Sequence, residues 1–140
     1  MLDNAVICRK LGVLLKYYKE FKQLTHNLNS EDYLKDITKR RAIEREIQLI
    51  VECATDINNM ILKKLKQGPS KDYFNSFIDL AENGILEMDF ALSIAPSTGL
   101  RNILVHEYEE VDDVIVYKSI QNVLNYYLGY IDKISKYLEC

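Results

Sequence analysis

The sequence predicts an all-α protein: an antiparallel helical bundle of four to five main helices, in a single domain over residues 1–140. Three observations carry this expectation. Only five glycines and two prolines occur, while Leu, Ile, Lys and Glu fill long stretches, a composition that suits helices and not turn-rich sheets. Apolar residues recur at three- and four-residue steps through most of the chain, which places them along one face of each helix. With 48% of its residues apolar, the chain can bury one real core and is too short for two comfortable ones.

The first helix is expected from about Asp3 or Asn4, as N-cap, to about Leu28, since Ile7, Leu11, Leu14, Tyr18, Phe21 and Leu28 form one stripe. Asn27, Asn29 and Ser30 mark a break, with Ser30 placed to cap the next helix. The second helix, the longest, runs from about Tyr33 to Lys66 on the stripe Ile43, Ile47, Ile50, Ala54, Ile57, Ile61 and Leu65, and Gly68-Pro69 ends it. Its length predicts a kink near Asp36 to Arg40. Ser70 starts a short third helix with Tyr73, Phe74, Phe77, Ile78 and Ala81 inward, stopped at Asn83-Gly84.

A fourth helix covers about Ile85 to Ala95, with Leu86, Phe90, Ala91 and Ile94 apolar. Pro96 cannot continue its hydrogen-bond ladder and so either kinks it or begins a new helix. After Tyr108 the run Glu109 to Asp113 is an acidic linker, whose Asp112 or Asp113 can cap the last helix. That helix has the most regular stripe: Tyr117, Ile120, Leu124, Tyr127, Ile131, Ile134 and Leu138. Tyr126, Tyr127 and Tyr130 add amphipathic area, available to a subunit interface wherever it lies off the stripe.

Composition also bounds function. A net charge of −3 gives no global attraction to nucleic acid, so any RNA contact needs a local basic surface. Cys8, Cys53 and Cys140 lie far apart and show neither a disulfide framework nor a zinc spacing, which predicts a reducing, cytoplasmic setting. Asp3, Arg9 and Lys10 interrupt the start of the chain, so no signal peptide is expected, and no apolar run approaches a membrane span. Glycine-rich phosphate loops, HExxH, GxSxG and paired metal-binding cysteines are missing. His26 sits alone among polar residues, and the carboxylate pairs Glu44 with Glu46 and Asp112 with Asp113 are wrongly spaced to share a helix face or are better explained as caps.

One stretch remains as a site, Gly99 to Tyr108. On a helix Asn102 and His106 share a face with Arg101 at its edge, while Ile103 and Leu104 turn inward. The helix should end near His106, and Tyr108 lies on the opposite side from the histidine if the helix continues but beside it if the backbone extends there. Histidine exchanges protons near neutral pH, and arginine holds a phosphate and stabilises added charge on it. Together they suffice for metal-free RNA cleavage, in which the 2′-hydroxyl is the internal nucleophile. Asn102 is placed to orient the imidazole or a phosphate oxygen. Arg-x4-His alone is a weak signal and by itself reads as a buried or capping histidine.

The segment Arg101-Asn102-Ile103-Leu104-Val105-His106-Glu107-Tyr108 resembles the Arg-x4-His-x-Tyr motif of the HepT toxins, a branch of the HEPN superfamily of small helical ribonucleases. Arg41-Ala42-Ile43-Glu44-Arg45-Glu46-Ile47-Gln48, with Ala54, Asp56, Ile57 and Asn58, is similar to that family's long second helix, and Ser70, Tyr73, Phe77, Leu80, Gly84 and Ile85 to its next segment. Ala95-Pro96 before Gly99 also fits. Met60 stands where relatives often have histidine, and Leu100 where phenylalanine is frequent.

The resemblance implies an HEPN-like fold and an RNA-cleaving toxin of a type VII toxin-antitoxin pair. Arg101 and His106 would be catalytic, Asn102 their support, and Tyr108 the residue to which an MntA-type nucleotidyltransferase antitoxin adds AMP. It further implies homodimers whose two motifs face one cleft, and it promotes Arg41 and Arg45 from a solvated helix face to an RNA-binding rim. No metal or cofactor is required of this chain; ATP and Mg2+ belong to the antitoxin. The alternative reading is a non-catalytic helical module that binds a nucleotide or a partner.

Overall fold

A computed structural model describes residues 2–140, without the side chains of Leu2 and Asp3. Seven α-helices and one 3-10 turn come in order: α1 (Leu2–Thr25), α2 (Ser30–Lys35), α3 (Ile37–Lys64), α4 (Tyr73–Glu82), α5 (Met88–Ile94), α6 (Ser97–His106), the turn Tyr108–Glu110, and α7 (Asp113–Leu138). Among the described residues there is no strand, and no helix is long and apolar enough to cross a membrane.

The long helices α1, α3 and α7 form the frame. Antiparallel packing of α1 on α3 is fixed by Lys64 bonding Asn4 and the Cys53 thiol reaching the Lys10 carbonyl at 3.6 Å. Packing of α1 on α7 is antiparallel too: Asn4 Nδ2 meets the Leu138 carbonyl at 3.4 Å, and the Tyr18 hydroxyl donates to the Leu124 carbonyl at 2.8 Å. All the predicted stripe residues from Ile7 to Phe21 and from Ile43 to Ile61 are buried, while Leu65 is half-buried. In α7 the core takes Val116 and Val123 besides Ile120, Tyr127, Ile131, Ile134 and Leu138, leaving Tyr117 and Leu124 half-buried.

Several boundaries differ from the expectations, each for a local reason. The helix α1 already includes Asn4 and ends at Thr25, whose hydroxyl returns to the Phe21 carbonyl at 2.9 Å; Asn27 then takes φ 55° and turns the chain. Asn29, not Ser30, caps α2, accepting from the Asp32 amide at 2.8 Å. The expected kink near Asp36 is a full break: Asp36 leaves the helical region at φ −98°, ψ 93° and caps α3 by accepting from the Lys39 amide at 3.0 Å. The helix α3 stops before Gly68, because Lys66 turns left-handed at φ 61°. Asp72, not Ser70, caps α4, and Phe74 is exposed instead of inward. The expected stop at Asn83-Gly84 occurs, with Gly84 at φ 78°. Ile85 and Leu86 precede α5 and are not part of it.

Pro96 begins a helix. Its φ of −59° suits the first turn of α6, where a missing amide hydrogen costs nothing. Tyr127 and Tyr130 are both buried, so of the three tyrosines only Tyr126 keeps part of its surface.

A buried polar chain fixes the small helices on the frame. The Tyr130 hydroxyl donates to Asn58 Oδ1 at 2.6 Å, Asn58 Nδ2 donates to Ser76 Oγ at 2.9 Å, and Ser76 donates to the Tyr73 carbonyl at 2.7 Å. Buried donors and acceptors that are all satisfied specify one arrangement, because breaking any link strands the others. The chain runs from α7 through α3 to the first residue of α4. Phe90 of α5 also lies close to α7: a Cβ on Gly129 would stand 3.1 Å from its ring, so glycine lets these helices approach.

One expectation is overturned. Cys8 and Cys140 form a disulfide, with Cα atoms 6.2 Å apart across 132 residues of sequence. Their separation hid the pairing, but the antiparallel register of α1 and α7 brings the end of the chain back to the second turn of α1. Cys53 is free and buried, and burial pushes its thiol up to about 11.

Candidate active site

Helix α6 carries the motif and ends at His106, as the sequence predicts. Its inner flank holds Thr98 and Leu104 in the core, so Asn102 and His106 project outward. Ile103 is 38% exposed, contrary to expectation, because it lies near the middle of the outer face.

Arg101 leaves the side of α6 and lies across α3 and α4. Its Nε and Nη2 donate to Glu52 Oε2 at 2.9 and 2.6 Å, and its guanidinium stands 4.7 Å over the Tyr73 ring. Gln48 Nε2 donates to the same Glu52 oxygen at 3.0 Å. The third nitrogen, Nη1, donates to Asn102 Oδ1 at 3.2 Å. Asn102 therefore supports the arginine and makes no hydrogen bond to the imidazole. The Arg101 side chain is only 14% exposed, so one planar cation is held from three sides with Nη1 nearest to solvent.

His106 is exposed and makes no hydrogen bond or ion pair among the described residues. Its imidazole is open to a bound group.

Tyr108 does not extend beside His106. Glu107 turns at φ −123°, ψ 37°, and Tyr108 enters the 3-10 turn with its ring against α3. Arg41 stacks 4.8 Å over that ring and its Nη1 reaches Glu44 Oε1 at 3.3 Å. Tyr108 is exposed, yet partial desolvation beside α3 raises the phenol above its usual pKa, Glu44 and Asp113 add to the rise, and Arg41 opposes it. Arg45 is exposed one turn further along α3.

Sequence reasoning missed Glu52 and gave Glu44, Gln48 and Tyr73 no role in the site. The signal was present in α3 as Arg41, Glu44, Gln48 and Glu52, a polar stripe at steps of three, four and four beside the apolar one. One end of it receives Tyr108 and the other receives Arg101. Among the described residues no group of three or more His, Cys, Asp or Glu is arranged to hold a metal ion. A groove between α5, α6 and α7, lined by Ser93, Leu100, Asn122 and Tyr126, lies on the other flank of α6.

A family profile described as ribonuclease HepT-like matches residues 14–134. The chain belongs to that family. It is 39% identical over 137 residues to a tRNA nuclease HepT of Aphanizomenon flos-aquae, covering 98% of this chain and 92% of that one. It is 27% identical to an mRNA nuclease HepT of Shewanella oneidensis, over 94% of this chain and 97% of the other. Among solved structures, a tri-AMPylated Shewanella oneidensis HEPN toxin in complex with MNT antitoxin superposes with a TM-score of 0.83 at 26% identity, covering 94% of this chain and 97% of that one. The solved toxin shares this fold, and the expected all-α HEPN-like architecture holds over nearly the whole chain.

Proposed function

We propose that this chain is the toxin of a type VII toxin-antitoxin pair, an endoribonuclease that cuts RNA with Arg101 and His106 and is silenced by AMP transfer to Tyr108. The observation that carries this reading is the pairing on one helix of a guanidinium fixed on three sides with an exposed, partnerless imidazole. A phosphate meeting Nη1 of Arg101 finds a charge already oriented, which avoids reorganisation during the reaction. His106 exchanges the proton of the 2′-hydroxyl nucleophile or of the leaving oxygen. Asn102 keeps the guanidinium in plane. The nuclease names of the two relatives and membership of the ribonuclease family support RNA as substrate.

The modifying partner in this reading is an MntA-type nucleotidyltransferase that uses ATP and Mg2+, while the toxin needs no cofactor of its own. Support comes from the AMPylated state and the MNT partner of the similar Shewanella toxin. AMP on Tyr108, two residues from His106, would add a bulky anion that repels the RNA backbone. Arg41 and Arg45 form the rim that RNA crosses. The motif lies on an open face, which supports a homodimer in which a second copy supplies the other wall of the cleft. We place the protein in the cytoplasm, where the Cys8–Cys140 bond is open to reduction, so the bundle must hold with or without it.

Purified chain incubated with RNA in EDTA is expected to yield fragments, and co-expression with the partner nucleotidyltransferase is expected to add AMP mass to the Tyr108 peptide and stop cleavage. Intact RNA under all conditions, with tight nucleotide or partner binding, would favour the non-catalytic reading instead.

A further inference from the structure

Tyr108, Glu44 and Arg41 form a cluster to which cleavage itself assigns no chemistry. Arg41 stacks over the Tyr108 ring and bonds Glu44 Oε1, so it holds the phenol and the carboxylate together. Glu44 is 5% exposed, and its Oε2 is buried with no partner at ordinary hydrogen-bond distance. A buried carboxylate oxygen left without a donor is costly, and such atoms are rare unless they serve a purpose. The hydroxyl of buried Tyr33 is likewise without a partner in this region. Tyr108 and Glu44 thus flank one guanidinium, the phenol ring on its face and the carboxylate at its Nη1, and Glu44 contributes to the raised pKa of the phenol.

This setting keeps the phenol protonated. Partial desolvation beside α3, Glu44 and, from α7, Asp113 all favour the neutral form, and Arg41 only partly offsets them. A neutral phenol is a weak nucleophile, so reaction at its oxygen needs a base in hydrogen-bond reach. Resting on the reading of Tyr108 as the modified residue, we propose that Glu44 is the base that accepts the Tyr108 proton during AMP transfer.

In the step, the Tyr108 oxygen attacks the α-phosphorus of an ATP held by the partner. The new O–P bond forms as the bond from Pα to the bridging oxygen breaks. Pyrophosphate departs with that electron pair, and the phenolic proton passes to the Glu44 carboxylate and then to water. The toxin thereby brings its own base to its own modification, and the partner brings nucleotide and metal. Arg41 acts as a positioning residue, because it touches both the ring and the carboxylate.

The test tracks the first AMP added to Tyr108 by the purified partner nucleotidyltransferase and ATP, measured by peptide mass across a pH series. Glu44→Gln is expected to slow this step about 100-fold near neutral pH, with the deficit shrinking as pH rises and the phenol ionises without help. Glu44→Asp, which keeps a shorter carboxylate, is expected to fall between the two. The helical spectrum of the unmodified Glu44→Gln chain should match the wild type. Transfer to Glu44→Gln at the wild-type rate overturns the proposal, and so does slowing by one constant factor at every pH, since lost packing alone produces that. Wild-type chain that takes AMP on another residue overturns the reading of Tyr108, and the inference with it.

Discussion

Glu52→Gln removes one charge from the centre of the Arg101 network while keeping its shape. The carboxylate oxygen it replaces accepts from Gln48 at 3.0 Å and from Arg101 at 2.9 and 2.6 Å. An amide oxygen can keep one or two of these bonds, but the guanidinium, 14% exposed, loses its counter-charge. Breaking a fully buried pair costs about 3–5 kcal/mol. Glu52 is 28% exposed, and solvent together with the surviving hydrogen bonds brings the expected loss to about 1.5 kcal/mol. For a chain of 140 residues that lowers the melting temperature by about 5 °C.

The effect on cleavage should be larger than the effect on stability. Without its charged clamp the guanidinium samples other rotamers over the Tyr73 ring, and misplacement on the order of 1 Å costs about 100-fold in rate. Thermal melting and RNA cleavage by the same preparations separate the two losses. Wild-type cleavage by Glu52→Gln, whatever its stability, would refute the claim that a fixed Arg101 matters to the chemistry.

Two further outcomes concern other parts of the bundle. Glu46 has a buried, unpartnered oxygen, and burial with Glu20 nearby raises its carboxyl to about 7. Between about 4.5 and 7 the unfolded chain releases this proton while the folded chain keeps it, so stability falls as pH rises through that window and stays lower above it. Glu46→Gln is therefore expected to stabilise by about 1 kcal/mol at pH 8, after allowing for solvent screening, and by little at pH 4.5 in urea unfolding; equal effects at both would contradict the assignment. Opening the Cys8–Cys140 bond frees a loop spanning the whole bundle, for which chain entropy sets an upper limit of about 5 kcal/mol. Cys140→Ser should lower the urea midpoint in oxidising buffer and match the wild type in reducing buffer, whereas identical midpoints in both would show that the bond does not form.

The sequence makes legible whatever is local. Stripes at three- and four-residue steps identify the core of α1, α3 and α7, Asp36 falls where the long helix needed relief, and Pro96 opens α6 because its fixed φ suits a first turn. The end of α6 at His106 is local too. The hidden features depend on register between distant helices. Glu52 meets Arg101 across 49 residues, and Cys8 meets Cys140 across 132. No pattern within either segment announces its partner. Tyr108 shows the same limit: a two-residue offset left it either opposite the histidine or beside it, and stacking on Arg41 places it against α3. Helix ends shifted where a competing cap was better placed, as Asn29 was over Ser30 and Asp72 over Ser70.

The central claim is that the exposed imidazole of His106 moves protons for a cleavage whose phosphate is held by Arg101. The most direct measurement is the rate of RNA cleavage in EDTA by His106→Ala beside the wild type. The histidine has no partner to lose among the described residues, so its removal should leave the helical spectrum and melting temperature unchanged. Cleavage is expected to fall by about 100- to 10,000-fold. A folded His106→Ala chain that cuts RNA at the wild-type rate would contradict the account.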